Sequence, residues 1–183
     1  MRWGLVVVLT AAYPLLVYLG LGRFEPRWLA LLLAALAVVR ALASPRRDPF
    51  WWWAAAAALL LAAATALINQ AMPLKVYPVV VNLGLLLLFG ASLRHPPTVV
   101  ERIARLTEPD LDAAGVRYTR RVTQVWCGFF VLNGSLALLT ACWGDDKLWA
   151  LYNGFIAYLL MGSLMGGEWL VRRKVRAAQR ATP

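Results

Sequence analysis

The chain has 183 residues, of which 61% are hydrophobic and only 15% are charged, with a formal net charge of +10. Soluble globular domains contain about 45–50% apolar and about 25% charged residues, so this composition excludes an ordinary soluble enzyme and a disordered segment. We expect no nucleic-acid partner, because the basic residues gather in short segments between apolar runs. The composition is typical of an all-α polytopic membrane protein.

Solid runs of Leu, Ala and Val, without alternating ten-residue segments, predict membrane-spanning helices and not a β-barrel. A helix that crosses a hydrocarbon core of about 30 Å needs roughly 20 apolar residues. The sequence contains about six such runs in a single integral membrane domain, residues 1–183. The predicted spans are residues 3–22, 28–44, 49–68, 76–93, 125–143 and 148–171.

The first run has a second interpretation, because Arg2 followed by an apolar stretch also fits a secretory signal. Against a signal, the run is long, contains Pro14 and Tyr18, and lacks a clear cleavage site of small residues. We therefore expect the first span to be retained.

The distribution of basic residues predicts the topology. With six spans and a cytoplasmic N-terminus, 15 of the 19 basic residues fall on the cytoplasmic side, including the loop 94–124 and the tail 172–183. Cytoplasmic loops carry this excess of Lys and Arg, so both termini are predicted to be cytoplasmic. All nine tryptophans lie at or near predicted span ends, as in an interfacial aromatic belt.

The loop 94–124 is predicted to contain a short amphipathic helix. Thr98 and Glu101 have the spacing of a capping box, and the following residues suit a helix in the cytoplasmic membrane interface, ended by Pro109. A second helix is expected to start near Asp110 and to run directly into the fifth span.

Three arginines recur at helical spacing on that second helix: Arg117, Arg120 and Arg121. Their simplest role is positive-inside anchoring at lipid phosphates. The alternative is a binding site for an anionic lipid headgroup or an acidic partner. Both roles stay open from the sequence.

Four polar residues lie within the last three predicted spans: Asn82, Asn133, Asn153 and Glu168. Buried amides usually form hydrogen bonds across helices, so we expect bridging roles, with the lining of a substrate path as the alternative. An intramembrane carboxylate is a functional candidate. However, Arg172 follows Glu168 by one turn, which predicts an i,i+4 ion pair at the interface.

Gly162 and Gly166 form a GxxxG motif in the last span. Such a motif permits close helix contact, either within the chain or between two copies in a homo-oligomer.

We find no sequence pattern for catalysis, metal binding or a cofactor. His95 is the only histidine, and the chain lacks a P-loop, a CxxC motif and a pair of intramembrane carboxylates. We therefore expect a protein that is not an enzyme and needs no cofactor.

Residues 74–171 carry a resemblance to a known family. The features are Leu-Lys-Val-Tyr-Pro from Leu74, Arg-His-Pro-Pro from Arg94, the stretch from Val122 to Gly134 containing Trp126 and Phe129-Phe130, and Leu-Trp-Ala-Leu-Tyr-Asn-Gly-Phe from Leu148. This arrangement resembles the intracellular septation protein A family of small bacterial inner-membrane proteins.

The sequence departs from that family at Asn153 and in its longer acidic loop. The stretch from Arg117 to Trp126 looks closer to uncharacterised membrane proteins that accompany aryl-polyene or fatty-acid-like synthase clusters. The resemblance implies a multi-pass protein of the bacterial inner membrane with a role in cell-envelope synthesis or division. It supplies no catalytic residues.

Together these observations predict a non-catalytic accessory or scaffold protein of cell-envelope biogenesis. Its partners would be the lipid bilayer, anionic lipid and envelope-synthesis membrane proteins. The alternative is a small carrier or flippase for a lipid-like substrate, with the three asparagines lining its path. A membrane enzyme acting on acyl chains fits least well, because no acid–base pair is present.

Overall fold

The computed structural model describes residues 19, 25–43, 49–68 and 70–181, and these are helical apart from short turns, with no strand among them. The expected first span, residues 3–22, lies outside the described residues except for Leu19. The helices are α1 (Pro26–Ala43), α2 (Pro49–Ile68), α3 (Met72–Arg94), α4 (Val99–Ala104), α5 (Ala113–Trp143), α6 (Asp146–Leu151), a π-helical segment (Tyr152–Ile156) and α7 (Ala157–Ala181).

Three helical segments in the described part of the chain are long and apolar enough to cross a membrane: Met72–Arg94, Ala113–Trp143 and Asp146–Arg173. Within α2 there is a shorter apolar segment, Ala56–Ile68. The all-helical fold is therefore confirmed, and the apolar helices indicate a membrane protein, whereas the count of six spans is not confirmed.

The helices pack in chain order, with α1 against α2, α2 against α3, and the most extensive contact between α3 and α5. One core cluster joins α1, α2, α3, α5 and α6. It consists of small side chains around two large ones, and its buried members are Ala30, Ala58, Ala62, Leu74, Ala141, Trp149 and Ala150.

Large apolar side chains point outward from this core. Leu60, Leu67 and Leu132 are 73%, 86% and 68% exposed, respectively. Many buried positions instead hold alanines or polar residues such as Thr65 and Thr123, whose hydroxyls donate to carbonyls one turn earlier in their own helices. Small and polar residues between helices, with large apolar residues outside, are the arrangement of helices packed in lipid.

Trp149 departs from the predicted belt. Trp28, Trp143 and Trp169 are exposed at 53% or more, as expected of interfacial residues, but Trp149 is fully buried. Its indole nitrogen donates to the backbone carbonyl of Lys75 at 3.0 Å. Trp149 is therefore a core residue, because its N–H finds a partner inside the protein.

Candidate functional site

A chain of hydrogen bonds crosses the interior between α3, α5 and the π segment. The Tyr152 hydroxyl donates to Asn133 Oδ1 at 2.8 Å, Asn133 Nδ2 donates to Asn82 Oδ1 at 3.0 Å, and Asn82 Nδ2 donates to the Pro78 carbonyl at 2.8 Å. All three side chains are buried, with at most 7% exposure. The predicted bridging of Asn82 and Asn133 is thus observed, and Tyr152 is a third member that the sequence did not indicate.

Gly134 allows the two asparagines to meet. A Cβ atom built on Gly134 would lie 3.1 Å from the Cβ of Asn82, which is tighter than an ordinary van der Waals contact. The absence of a side chain therefore brings the backbone of α5 close enough to α3 for the hydrogen bond between Asn133 and Asn82.

Asn153 lies apart from this chain. Its Nδ2 donates to Thr140 Oγ1 at 3.1 Å and to the Trp149 carbonyl at 3.0 Å. Asn153 adjoins Tyr152 in the π segment, and both side chains are buried. The structure therefore brings two of the three predicted asparagines together and assigns the third to a separate contact between α5 and the π segment.

All three asparagine side chains form hydrogen bonds within the protein. Each amide NH2 donates to an oxygen, and the side-chain oxygens of Asn82 and Asn133 each accept a hydrogen bond. Hydrogen bonds of this kind fix the register of the helices, and each of the three amides already uses at least one of its donors inside the protein. This geometry favours the bridging role over the lining of a path.

An ion pair that the sequence did not indicate joins α3 and α6. The Lys75 ammonium contacts the Asp146 carboxylate, and the Lys75 side chain is only 14% exposed. Together with the hydrogen bond from Trp149 to the Lys75 carbonyl, this contact fixes the start of α3 against α6.

At the opposite end of the bundle, Glu168 and Arg172 form the predicted i,i+4 ion pair at 2.7 Å. The Tyr118 hydroxyl also contacts Glu168, at 3.2 Å from Oε1 and 3.3 Å from the backbone carbonyl. Glu168 is therefore held by its own helix and by α5. This arrangement accounts for the carboxylate without a catalytic role.

The arginines on α5 differ in what they contact. Arg120 donates through Nη1 to the Leu93 carbonyl at 2.9 Å, which satisfies a terminal carbonyl of α3. Arg117 and Arg121 are exposed and form no hydrogen bond or ion pair with the described residues. Of the three predicted binding residues, Arg120 therefore joins two helices, whereas Arg117 and Arg121 are available at the surface.

The loop between α3 and α5 is folded. The predicted capping box is confirmed, since Thr98 Oγ1 accepts from the Glu101 amide at 3.3 Å and Glu101 Oε2 accepts from the Thr98 amide at 3.4 Å. Helix α4 ends at Ala104, not at Pro109, because a turn follows in which the amide of Glu108 donates to the Ala104 carbonyl. The next helix starts at Ala113 with Asp112 as its N-cap.

Helix α4 has two distinct sides. Val100, Glu101 and Ala104 are buried on the side that packs toward α5, whereas Ile103 is 57% exposed and Leu106, in the turn after the helix, is 73% exposed. The predicted amphipathic character is therefore present, and Ile103 and Leu106 are the apolar residues that face outward.

The cross-helix contacts form two layers. Leu93, which accepts from Arg120, follows Lys75 by eighteen residues on α3, and this separation is a helical rise of about 27 Å. The hydrocarbon core of a bilayer is about 30 Å thick. The two layers therefore have the spacing of the two membrane interfaces.

The GxxxG motif and the possible metal ligands are the last sequence features to place in the described part of the chain. A Cβ on Gly162 or Gly166 would meet nothing within 4 Å, so the GxxxG face is open. The described residues contain no group of three His, Cys, Asp or Glu side chains that could hold a metal ion.

Comparisons with known proteins add no relative. Neither a family model, nor a curated protein, nor a solved structure matches this chain.

Proposed function

We propose that this chain is a non-catalytic accessory or scaffold protein of the bacterial inner membrane that acts in cell-envelope biogenesis, in lipid or polyene synthesis or in septation. The observation that carries the proposal is the hydrogen-bond chain from Tyr152 through Asn133 to Asn82. It uses the polar groups of the interior to hold helices together. The arginines that form no hydrogen bond or ion pair with the described residues, namely Arg94, Arg117 and Arg121, lie on the surface.

The proposed topology has six spans with both termini in the cytoplasm. The spacing of about 27 Å between the Lys75 and Leu93 levels supports a membrane crossing by α3. The excess of basic residues at the Leu93 level, on Arg94, Arg117 and Arg121, supports a cytoplasmic location for that end.

Reporter fusions test the topology. Fusions at 44–48, within 94–124 and after Arg172 should report the cytoplasm, and fusions near Glu25, Met72 and Asp145 should report the opposite side. A C-terminus found outside would refute the six-span arrangement.

The resemblance of residues 74–171 to septation proteins supports the assignment to envelope biogenesis. In this role the basic loop and tail recruit envelope-synthesis membrane proteins. The buried network keeps the helices rigid enough to present that surface in one geometry.

Photo-crosslinking in the native membrane tests the scaffold role. A photoreactive amino acid at Leu106, exposed in the turn after α4, should capture envelope-synthesis enzymes, because it lies on the proposed recruiting surface. The matched control places the same amino acid at Leu132, which is exposed in the middle of α5 and should capture lipid. Equal protein capture at both positions, or none at Leu106, would contradict a recruiting surface at the cytoplasmic end.

A carrier for a lipid-like substrate is the second candidate, favoured by the π segment at Tyr152–Ile156. Such segments occur often at functional sites, since they locally widen a helix. Loss of function in Tyr152→Phe without loss of stability would favour the carrier over the scaffold.

A further inference from the structure

Contacts of side chains and backbone join the end of α3, the first part of α5 and the middle of α7 at one level. Arg120 on α5 donates to the Leu93 carbonyl at the end of α3, and Tyr118 on α5 contacts Glu168 on α7. Arg94 is the last residue of α3, so it lies at the same level as this part of α5.

Some of the charged side chains at this level form no ion pair or hydrogen bond with the described residues. The carboxylates of Glu101 and Glu168 are paired with Arg105 and Arg172. By contrast, three arginines are exposed and form no hydrogen bond or ion pair with the described residues: Arg94, Arg117 and Arg121. Arg117 and Arg121 are four residues apart on one helix, so they project from the same face.

Apolar side chains accompany these charges. The amide of Val99, the first residue of α4, donates to Ser92 Oγ in the last turn of α3 at 3.1 Å, which fixes α4 beside the same helix end. Ile103 and Leu106 point away from the bundle there. Free guanidinium groups with outward apolar residues, at the ends of membrane-length helices, match the boundary between phosphate headgroups and acyl chains.

We propose that Arg94, Arg117 and Arg121, together with Ile103 and Leu106, form a binding surface for an anionic phospholipid. The guanidinium groups of the arginines bind the headgroup phosphate, and the two apolar residues contact the upper acyl chains. Arg120 is excluded from the headgroup contact because its guanidinium already binds the Leu93 carbonyl. The proposal rests on the membrane location and cytoplasmic orientation in the proposed function, and it names the lipid class.

Native mass spectrometry of the purified full chain tests this surface, with phosphatidylglycerol titrated into detergent micelles and phosphatidylcholine as the neutral comparison. Each arginine near an anionic surface contributes about fivefold in affinity, so R117Q/R121Q should bind phosphatidylglycerol on the order of 25-fold more weakly. R117K/R121K keeps the charges and should retain most of the affinity. Binding should weaken as salt is raised, because salt screens the attraction.

Two further variants separate this surface from general charge and from structure. K147Q removes one exposed cation from the opposite end of the bundle and should change the affinity less than twofold. R120Q should lower the thermal midpoint while changing the affinity less than R117Q or R121Q does, because Arg120 contacts protein.

Two results would overturn the proposal. One is equal affinity for phosphatidylglycerol and phosphatidylcholine. The other is unchanged phosphatidylglycerol binding in R117Q/R121Q. The assay contains no partner protein, so its failure leaves the crosslinking test of the scaffold role unaffected.

Discussion

Replacing Asn133 with Leu tests whether the buried amides hold the helices together. The change removes the hydrogen bonds to Asn82 at 3.0 Å and from Tyr152 at 2.8 Å. Hydrogen bonds between membrane helices contribute about 0.6 kcal/mol on average and at most about 1.7 kcal/mol. Loss of two such bonds, together with a buried hydroxyl left without its acceptor, should lower the free energy of unfolding by about 1–3 kcal/mol.

Thermal unfolding in detergent measures this effect, and a double-mutant cycle with Tyr152→Phe isolates the bond between the two side chains. The coupling between Asn133→Leu and Tyr152→Phe should be about 0.5–1.5 kcal/mol, because the residues are in direct contact. Val131→Leu is the control, since Val131 is 49% exposed and its change should leave the thermal midpoint nearly constant. Wild-type stability in Asn133→Leu, or additivity of the two changes, would refute the bridging role.

Four further variants test helix contacts in the bundle. Gly134→Val should lower the free energy of unfolding by about 2 kcal/mol, because the new side chain would push α5 away from Asn82. Gly128→Ala is the control, since a Cβ there meets open space, and thermal unfolding should show it to be neutral or stabilising. Asp146→Asn should lower the free energy of unfolding by about 1 kcal/mol, and with it the thermal midpoint, because the Lys75 ammonium loses its counter-charge. An unchanged midpoint would show that the ion pair does not form in solution. Tyr118→Phe should cost less than about 1 kcal/mol in the same measurement, because Arg172 still pairs with Glu168.

The features that the sequence predicted well are local. Apolar runs located α1, α2 and α3 to within a few residues, since a proline or a charged segment ends each run. The capping box at Thr98 and the ion pair from Glu168 to Arg172 were also predictable, because each depends on residues three or four positions apart.

The features that could not be predicted depend on how distant segments align. Lys75 and Asp146 lie far apart in the chain, and neither residue alone indicates which helix end it will meet. The role of Tyr152 required knowledge that the π segment turns it toward α5. A single clue was available at Gly134, directly after Asn133, because small residues beside buried amides mark close helix contacts.

The π segment also sets the angular relation between the two ends of the last helix. Trp149 and Glu168 both face the bundle, and in a regular α-helix their nineteen-residue separation would point them about 100° apart. The π segment absorbs about one residue, so the remaining eighteen complete about five whole turns and bring both side chains to the same azimuth. Deleting one residue between Tyr152 and Ile156 would leave eighteen residues of regular α-helix between Trp149 and Glu168, and these would complete the same five turns and keep both side chains in phase. Regular α-helical winding with all nineteen residues retained would instead allow the helix to engage Lys75 at one end or Tyr118 at the other, but not both.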